Sequence, residues 1–112
     1  MSKISNRAFQ LIGLSQKAGK LTSGSYAGEK AIMSGVAQLV IVSEEASFNT
    51  IKRFSDMCNY RNIDMIKLGS KEDLGRSIGK PDRTIVVITD RAFRDMILDV
   101  LPSSIVNTEV SD

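Results

Sequence analysis

The sequence predicts a single-domain α/β layer sandwich, a small sheet enclosed by helices. Three observations predict it. Segments with helical spacing alternate with short strand-like segments along the chain. The run Leu39-Val40-Ile41-Val42 is apolar at every position, as a strand covered on both faces is, and Ile85-Val86-Val87-Ile88 is a second such run rich in β-branched residues. A length of 112 residues, 42% hydrophobic and 25% charged, suits one packed core and leaves little room for a second domain.

Residues 6–18 read as a helix. Ser5 precedes them as an N-cap, Ala8, Leu11 and Ile12 recur at helical spacing, and Ala18-Gly19-Lys20 stops the pattern. Residues 21–23 form a short strand ending at Gly24. Residues 25–34 form a second helix closed by Gly35, which is free to take the left-handed conformation many helix ends need. A strand over residues 38–43 carries the first apolar run. After Glu44-Glu45-Ala46, the residues Phe48, Ile51, Phe54 and Cys58 share one helix face, with Lys52, Arg53 and Asp56 turned outward, which predicts Cys58 in the core.

Residues 63–68 supply the next strand. Ser70, followed three residues later by Asp73, has the form of a capping box and opens a short helix over residues 71–78. Gly79-Lys80-Pro81-Asp82 is a turn by composition, and residues 84–89 are a β-branched strand. Asp90 caps a last helix, in which Phe93, Met96, Ile97, Val100 and Leu101 match one apolar face. Pro102 and the polar residues after it end the order, so the domain spans residues 1–102 and residues 103–112 form a flexible tail.

The longest apolar runs fall far short of the ~20 residues of a membrane-spanning helix, and the basic N-terminal stretch lacks a long apolar segment and a cleavage site. The expectation is a cytoplasmic protein without a membrane partner. A single cysteine excludes an internal disulfide. The net charge is only +2, but it is unevenly spread. Residues 1–30 hold Lys3, Arg7, Lys17, Lys20 and Lys30 against Glu29 alone, whereas residues 83–112 carry more acids than bases. Such a chain can present a basic face to phosphate, although solvated surface charge explains the same pattern.

Enzyme readings fail on inventory. Without histidine, the commonest general base and metal ligand are missing, and one helical cysteine builds neither a zinc cluster nor a Cys/His nucleophile. The carboxylate pairs Glu44-Glu45 and Glu72-Asp73 lie at predicted helix N-termini, where acids meet the helix dipole favourably. Gly24 to Ala31 has neither the spacing nor the hydroxyl of a phosphate-binding Walker loop, and no Gly-x-Gly-x-x-Gly follows a strand. No cofactor and no metal are expected. What survives is the strand-to-helix junction at Gly24 and Ser25. A glycine there admits another backbone, free helix amides attract phosphate oxygens, and Lys30 and Lys20 flank the junction. Many α/β domains carry such a turn without any ligand.

Several blocks in register, LIGLSQKAGKLTSG, LVIVSEEASFNT with IKRF and a cysteine after it, LGSKEDLGRSIGK and VVITDRAF, resemble the superfamily of kink-turn-binding ribosomal proteins, and within it the small bacterial YlxQ-like branch. The resemblance spans about residues 5 to 100. It implies a three-layer α/β/α domain with a mixed sheet, where alternation alone suggests a mostly parallel one, and RNA binding without catalysis. The family's stretch from first strand into second helix reads approximately Gly-x-Asn-Glu-x-x-Lys. Gly24 and Lys30 match its glycine and lysine, but Tyr26 and Ala27 stand where the asparagine and glutamate that recognise sheared G·A pairs would be.

These departures predict weakened base readout with backbone contact and shape recognition retained, because alanine makes no side-chain hydrogen bond. Tyr26 offers a ring for stacking, or for packing. Further contact positions carry over to Glu45 and Ser47 in the turn after the second strand, to Lys71, and to the loop of Lys80 and Arg83, which is polar here where many relatives are apolar. The expected partner is structured RNA, a kink-turn or ribosomal RNA, bound by a monomer without DNA specificity. A protein-interaction module on the same fold, with RNA readout lost, is the alternative.

Overall fold

A computed structural model describes residues 3–106, with side chains from residue 6 onward. Five helices and four strands alternate, in the order α1 (Lys3–Lys17), β1 (Leu21–Ser23), α2 (Ser25–Met33), β2 (Leu39–Val42), α3 (Phe48–Arg61), β3 (Asp64–Lys67), α4 (Lys71–Ser77), β4 (Ile85–Ile88) and α5 (Arg91–Asp99). The first helix opens at Lys3, so Ser5 lies inside it rather than ahead of it.

The sheet order is β1-β4-β2-β3. β4 runs antiparallel to both β1 and β2, while β2 and β3 are parallel, which gives the mixed sheet that the family resemblance implies and not the mostly parallel one suggested by alternation. Inserting β4 between β1 and β2 aligns Leu21 and Leu39 with Ile88, and Ser23 and Val42 with Val86 and Ile85. The C-terminal ends of β1, β2 and β3 therefore meet the start of β4 at one end of the sheet.

Period-two alternation divides the two apolar strands between two cores. Leu39, Ile41, Val86 and Ile88 face α1, α4 and α5, among Ala8, Leu11, Ile12, Leu74 and Ile97. Val40, Val42, Ile85 and Val87 face α2 and α3, among Ile32, Phe54 and Cys58. Because each strand serves both layers, none of its four positions is polar. An ion pair ties the two helices of the second face together, where Arg53 reaches from α3 to Glu29 on α2 at 2.7 Å while stacking on Phe54.

Three further sequence expectations change. Phe48 is 75% exposed, because as the first residue of α3 it sits at the open tip of the helix and not over the sheet. Met96 is also exposed, on the flank of α5 beside the buried Ile97. Order continues past Pro102: Ser103–Ile105 form a 3-10 turn, and Val106 bridges Ile66 on the free edge of β3. Residues 107–112 of the expected tail lie outside the described residues.

Cys58, on the sheet-facing side of α3, is 1% exposed. A bulky thiol reagent should therefore label the native protein only as fast as it unfolds, and far faster in denaturant. Prompt labelling of the native state would place the thiol at the surface. Among the described residues, no helix is long and apolar enough to cross a membrane.

Candidate functional site

The turns at the C-terminal ends of β1, β2 and β3 and the loop entering β4 form one hydrogen-bonded edge. The Gly24 amide donates to the Ile85 carbonyl at 2.9 Å, and the Ser43 amide to the Thr84 carbonyl at 2.9 Å. The Glu44 amide donates to the Gly69 carbonyl at 2.8 Å, and the Arg83 amide to the Lys71 carbonyl at 2.9 Å. Buried Ser43 holds the second turn from inside, its hydroxyl oxygen accepting from the Glu45 amide at 2.9 Å.

Gly24 closes β1 at φ +95° and ψ 156°, a region essentially restricted to glycine. Its place in the chain thus has a backbone reason apart from any ligand. It also gives α2 an N-cap without a side chain, so no side-chain acceptor covers the first amides of that helix. Ser25 and Tyr26 follow, both exposed, Tyr26 at 80%. Ala27 is half-buried, and with Tyr26 and Lys30 it lines an open groove beside Thr22 and Thr89. The Lys30 ammonium lies 5.9 Å from the Tyr26 ring centroid, so cation and ring form one surface on α2.

Ser47 caps α3, its hydroxyl oxygen accepting from the Thr50 amide at 3.1 Å. Glu45 also acts on the backbone, where its carboxylate accepts from the Lys71 amide at 3.2 Å and ties the β2–α3 turn to the start of α4. That leaves the exposed Lys71 side chain to solvent, with no ion pair among the described residues. Arg83 is half-buried and spans the edge. Its Nε donates to Ser23 Oγ at 3.0 Å and one terminal nitrogen to the Asp82 carbonyl at 2.7 Å, which fixes a guanidinium beside Gly24. Lys80 stands exposed in the preceding loop, its amide on the Gly75 carbonyl at 2.8 Å.

Of the ten residues singled out in the sequence, Gly24, Ser25, Glu45, Ser47, Lys71 and Arg83 share this edge, Tyr26 and Lys30 extend it along α2, and Lys80 follows in the loop leading to it. Lys20 does not. Its carbonyl accepts from the Thr89 amide at 2.9 Å, past the end of β4, so it lies at the opposite end of the sheet. Sequence reasoning missed Phe48, whose exposed ring adjoins Ser47 at this edge. Its position directly after a capping serine was the available signal, since first-turn residues at a helix tip need not face the core.

α4 is held by its own cap. Ser70 Oγ accepts from the Asp73 amide at 3.0 Å, and Arg76 pairs with the Asp73 carboxylate at 2.9 Å. The hydrogen bond from Arg76, with those from Ser70 behind it, holds the Asp73 carboxyl below the ordinary carboxylate range against partial burial. A lowered folded-state value contributes stability above the unfolded value, near 3.9, which is lost as pH falls through the folded one. Asp73→Asn should accordingly be penalised at neutral pH and converge with the parent protein in acid, as measured by denaturant melts from about pH 6 to pH 2. A constant difference across that range would remove the carboxylate's role.

Residues 6–98 match the ribosomal protein L7Ae/L30e/S12e/Gadd45 family. The chain belongs to this family. It is 41% identical over 93 residues to the RNA-binding protein YlxQ of Bacillus subtilis (strain 168), across 83% of this chain and 93% of that one. To the RNA-binding protein YlxQ of Enterococcus faecium it is 36% identical over 87 residues, across 78% and 84%. A protein of unknown function from Bacillus halodurans C has the same fold at a TM-score of 0.82 and 31% identity, covering 84% of this chain and 95% of its own. The Giardia lamblia 15.5kD RNA binding protein shares the fold at a TM-score of 0.77 and 18% identity, covering 89% and 86%. Membership in the family and in its YlxQ branch bears out the resemblance read from the sequence blocks.

Proposed function

We propose that this chain binds structured RNA through the edge formed by the three β-strand ends, gripping the backbone of a kinked duplex such as those in ribosomal RNA. The observation that carries the reading is the convergence of uncapped α2 amides, Lys71 and the tethered Arg83 guanidinium at one end of the sheet. Helix amides and guanidinium groups suit phosphate oxygens, while Lys30 and Tyr26 continue the contact along α2. The names of the YlxQ relatives support the same reading. With Tyr26 and Ala27 in place of hydrogen-bonding side chains, recognition runs through shape and phosphate contact.

Titration of a kink-turn RNA and an unkinked duplex at two salt concentrations tests this. Three phosphate neutralisations by Lys30, Lys71 and Arg83 correspond to a loss of roughly 40-fold in affinity between about 50 and 200 mM salt. Lys71→Ala should weaken both RNAs alike and lower the salt slope by about one. A flat salt response with no preference for the kinked RNA would sink the reading. It would favour a protein-binding role, for which the exposed rings of Phe48 and Tyr26 supply apolar contact.

A further inference from the structure

At the other end of the sheet, the close of α2, the end of α3, the starts of β2 and β3 and the first turn of α5 enclose an open cleft of about 620 Å³, within the usual range for small-ligand sites. Three arginines line it, Arg61, Arg91 and Arg94, against one acid, Asp64. Arg94 is committed, pairing with Asp64 and Asp95 at 2.8 Å each. Arg61 and Arg91 make no ion pair among the described residues. The cleft therefore keeps two uncompensated guanidinium groups, one from the end of α3 and one from the start of α5.

Its rim is aromatic and amide-rich. Tyr60 is 82% exposed, and the Arg61 guanidinium lies 5.4 Å from its ring centroid, so the two form one flat surface. Asn62 and Gln38 add side-chain amides, each with a donor and an acceptor. Asn62 is the one non-glycine residue at positive φ among the described residues, and its left-handed turn ends α3 at the cleft.

We propose that this cleft is a second nucleic-acid site, one that takes an unpaired ribonucleotide with its base on Tyr60 and its phosphate between Arg61 and Arg91. A bare anion or an acidic peptide would use the arginines alone. A nucleotide also uses the exposed ring for stacking and the amides for its base edge. The site does not depend on the strand-end edge, from which the sheet separates it.

The test is binding of a fluorescent single-stranded hexaribonucleotide, read by anisotropy at two salt concentrations, with amide shifts followed by NMR in the unmodified protein. Arg61→Gln with Arg91→Gln should weaken the oligonucleotide about tenfold and reduce the salt slope by about 0.7, the value for one single-strand phosphate. Tyr60→Ala should weaken it about fivefold or more. Lys71→Gln should leave it unchanged, and the side-chain amides of Gln38 and Asn62 should shift on titration. Shifts confined to the Gly24 edge, or equal displacement by a hexaglutamate peptide, would overturn the proposal without variants. Weaker kinked-duplex binding in Lys71→Gln, with hexamer binding intact, supports the cleft and separates it from the other edge.

Discussion

Gly75→Val is expected to abolish binding at the strand-end edge and to lower the unfolding free energy by about 1–3 kcal/mol or more, the range for overpacking a close contact. A Cβ at Gly75 would stand 2.5 Å from the Cα of Asp82 and 2.7 Å from its nitrogen. The obstacle is backbone, so no rotamer relieves it. The segment that must yield is the one that delivers Arg83, whose amide and guanidinium bind the Lys71 carbonyl and Ser23. Displacement of Asp82 therefore loosens the clamp between β1 and the start of α4. Thermal melts and RNA titration of the same preparation check both effects, with Lys71→Ala as the variant that loses only a phosphate contact. Full affinity in a folded Gly75→Val protein would show that Arg83 is not part of the binding edge.

Much of the architecture was legible because both sheet faces are buried. Continuous apolar strands and helical spacing identify their elements without tertiary information, as for Leu39–Val42 and for the α1 positions Ala8, Leu11 and Ile12. Strand direction was not legible from residues. The antiparallel insertion of β4 between β1 and β2 depends on pairing across more than forty residues, and the family resemblance implied only that the sheet is mixed. Phe48 failed for a local reason. Its spacing from Ile51 fits a buried stripe, but periodicity does not say at which turn a helix leaves the sheet.

The proposed binding edge was legible residue by residue more than as a surface. Gly24, Lys30, Lys71 and Arg83 came from the strand–helix junction and the family blocks, yet their proximity follows from sheet order. Lys20 precedes Gly24 by only four residues, but a three-residue strand intervenes and carries it to the opposite end. The cleft of Arg61, Arg91 and Arg94 joins segments about thirty residues apart through the β2–β4 pairing. No local pattern marks it.

Restoring the family's missing pair should change specificity more than affinity. Tyr26→Asn with Ala27→Glu places a carboxamide and a carboxylate on the first turn of α2, beside the uncapped amides and the Arg83 guanidinium. Tyr26 is 80% exposed and Ala27 half-buried on the open groove, so both positions accept polar side chains without entering the core. Each bidentate contact to a base edge is worth about 1–3 kcal/mol of discrimination, on a scale set mainly by DNA complexes. Two such contacts predict a rise of tenfold or more in the ratio of kinked to straight duplex affinity. The added carboxylate opposes phosphate, so affinity for the straight duplex should fall slightly while that for the kinked RNA rises. Anisotropy titration of both RNAs with the double variant, alongside a thermal melt, reads this directly. A folded variant with an unchanged ratio would mean that α2 does not face the kinked base pairs, and RNA contact at this edge would then rest on phosphate alone.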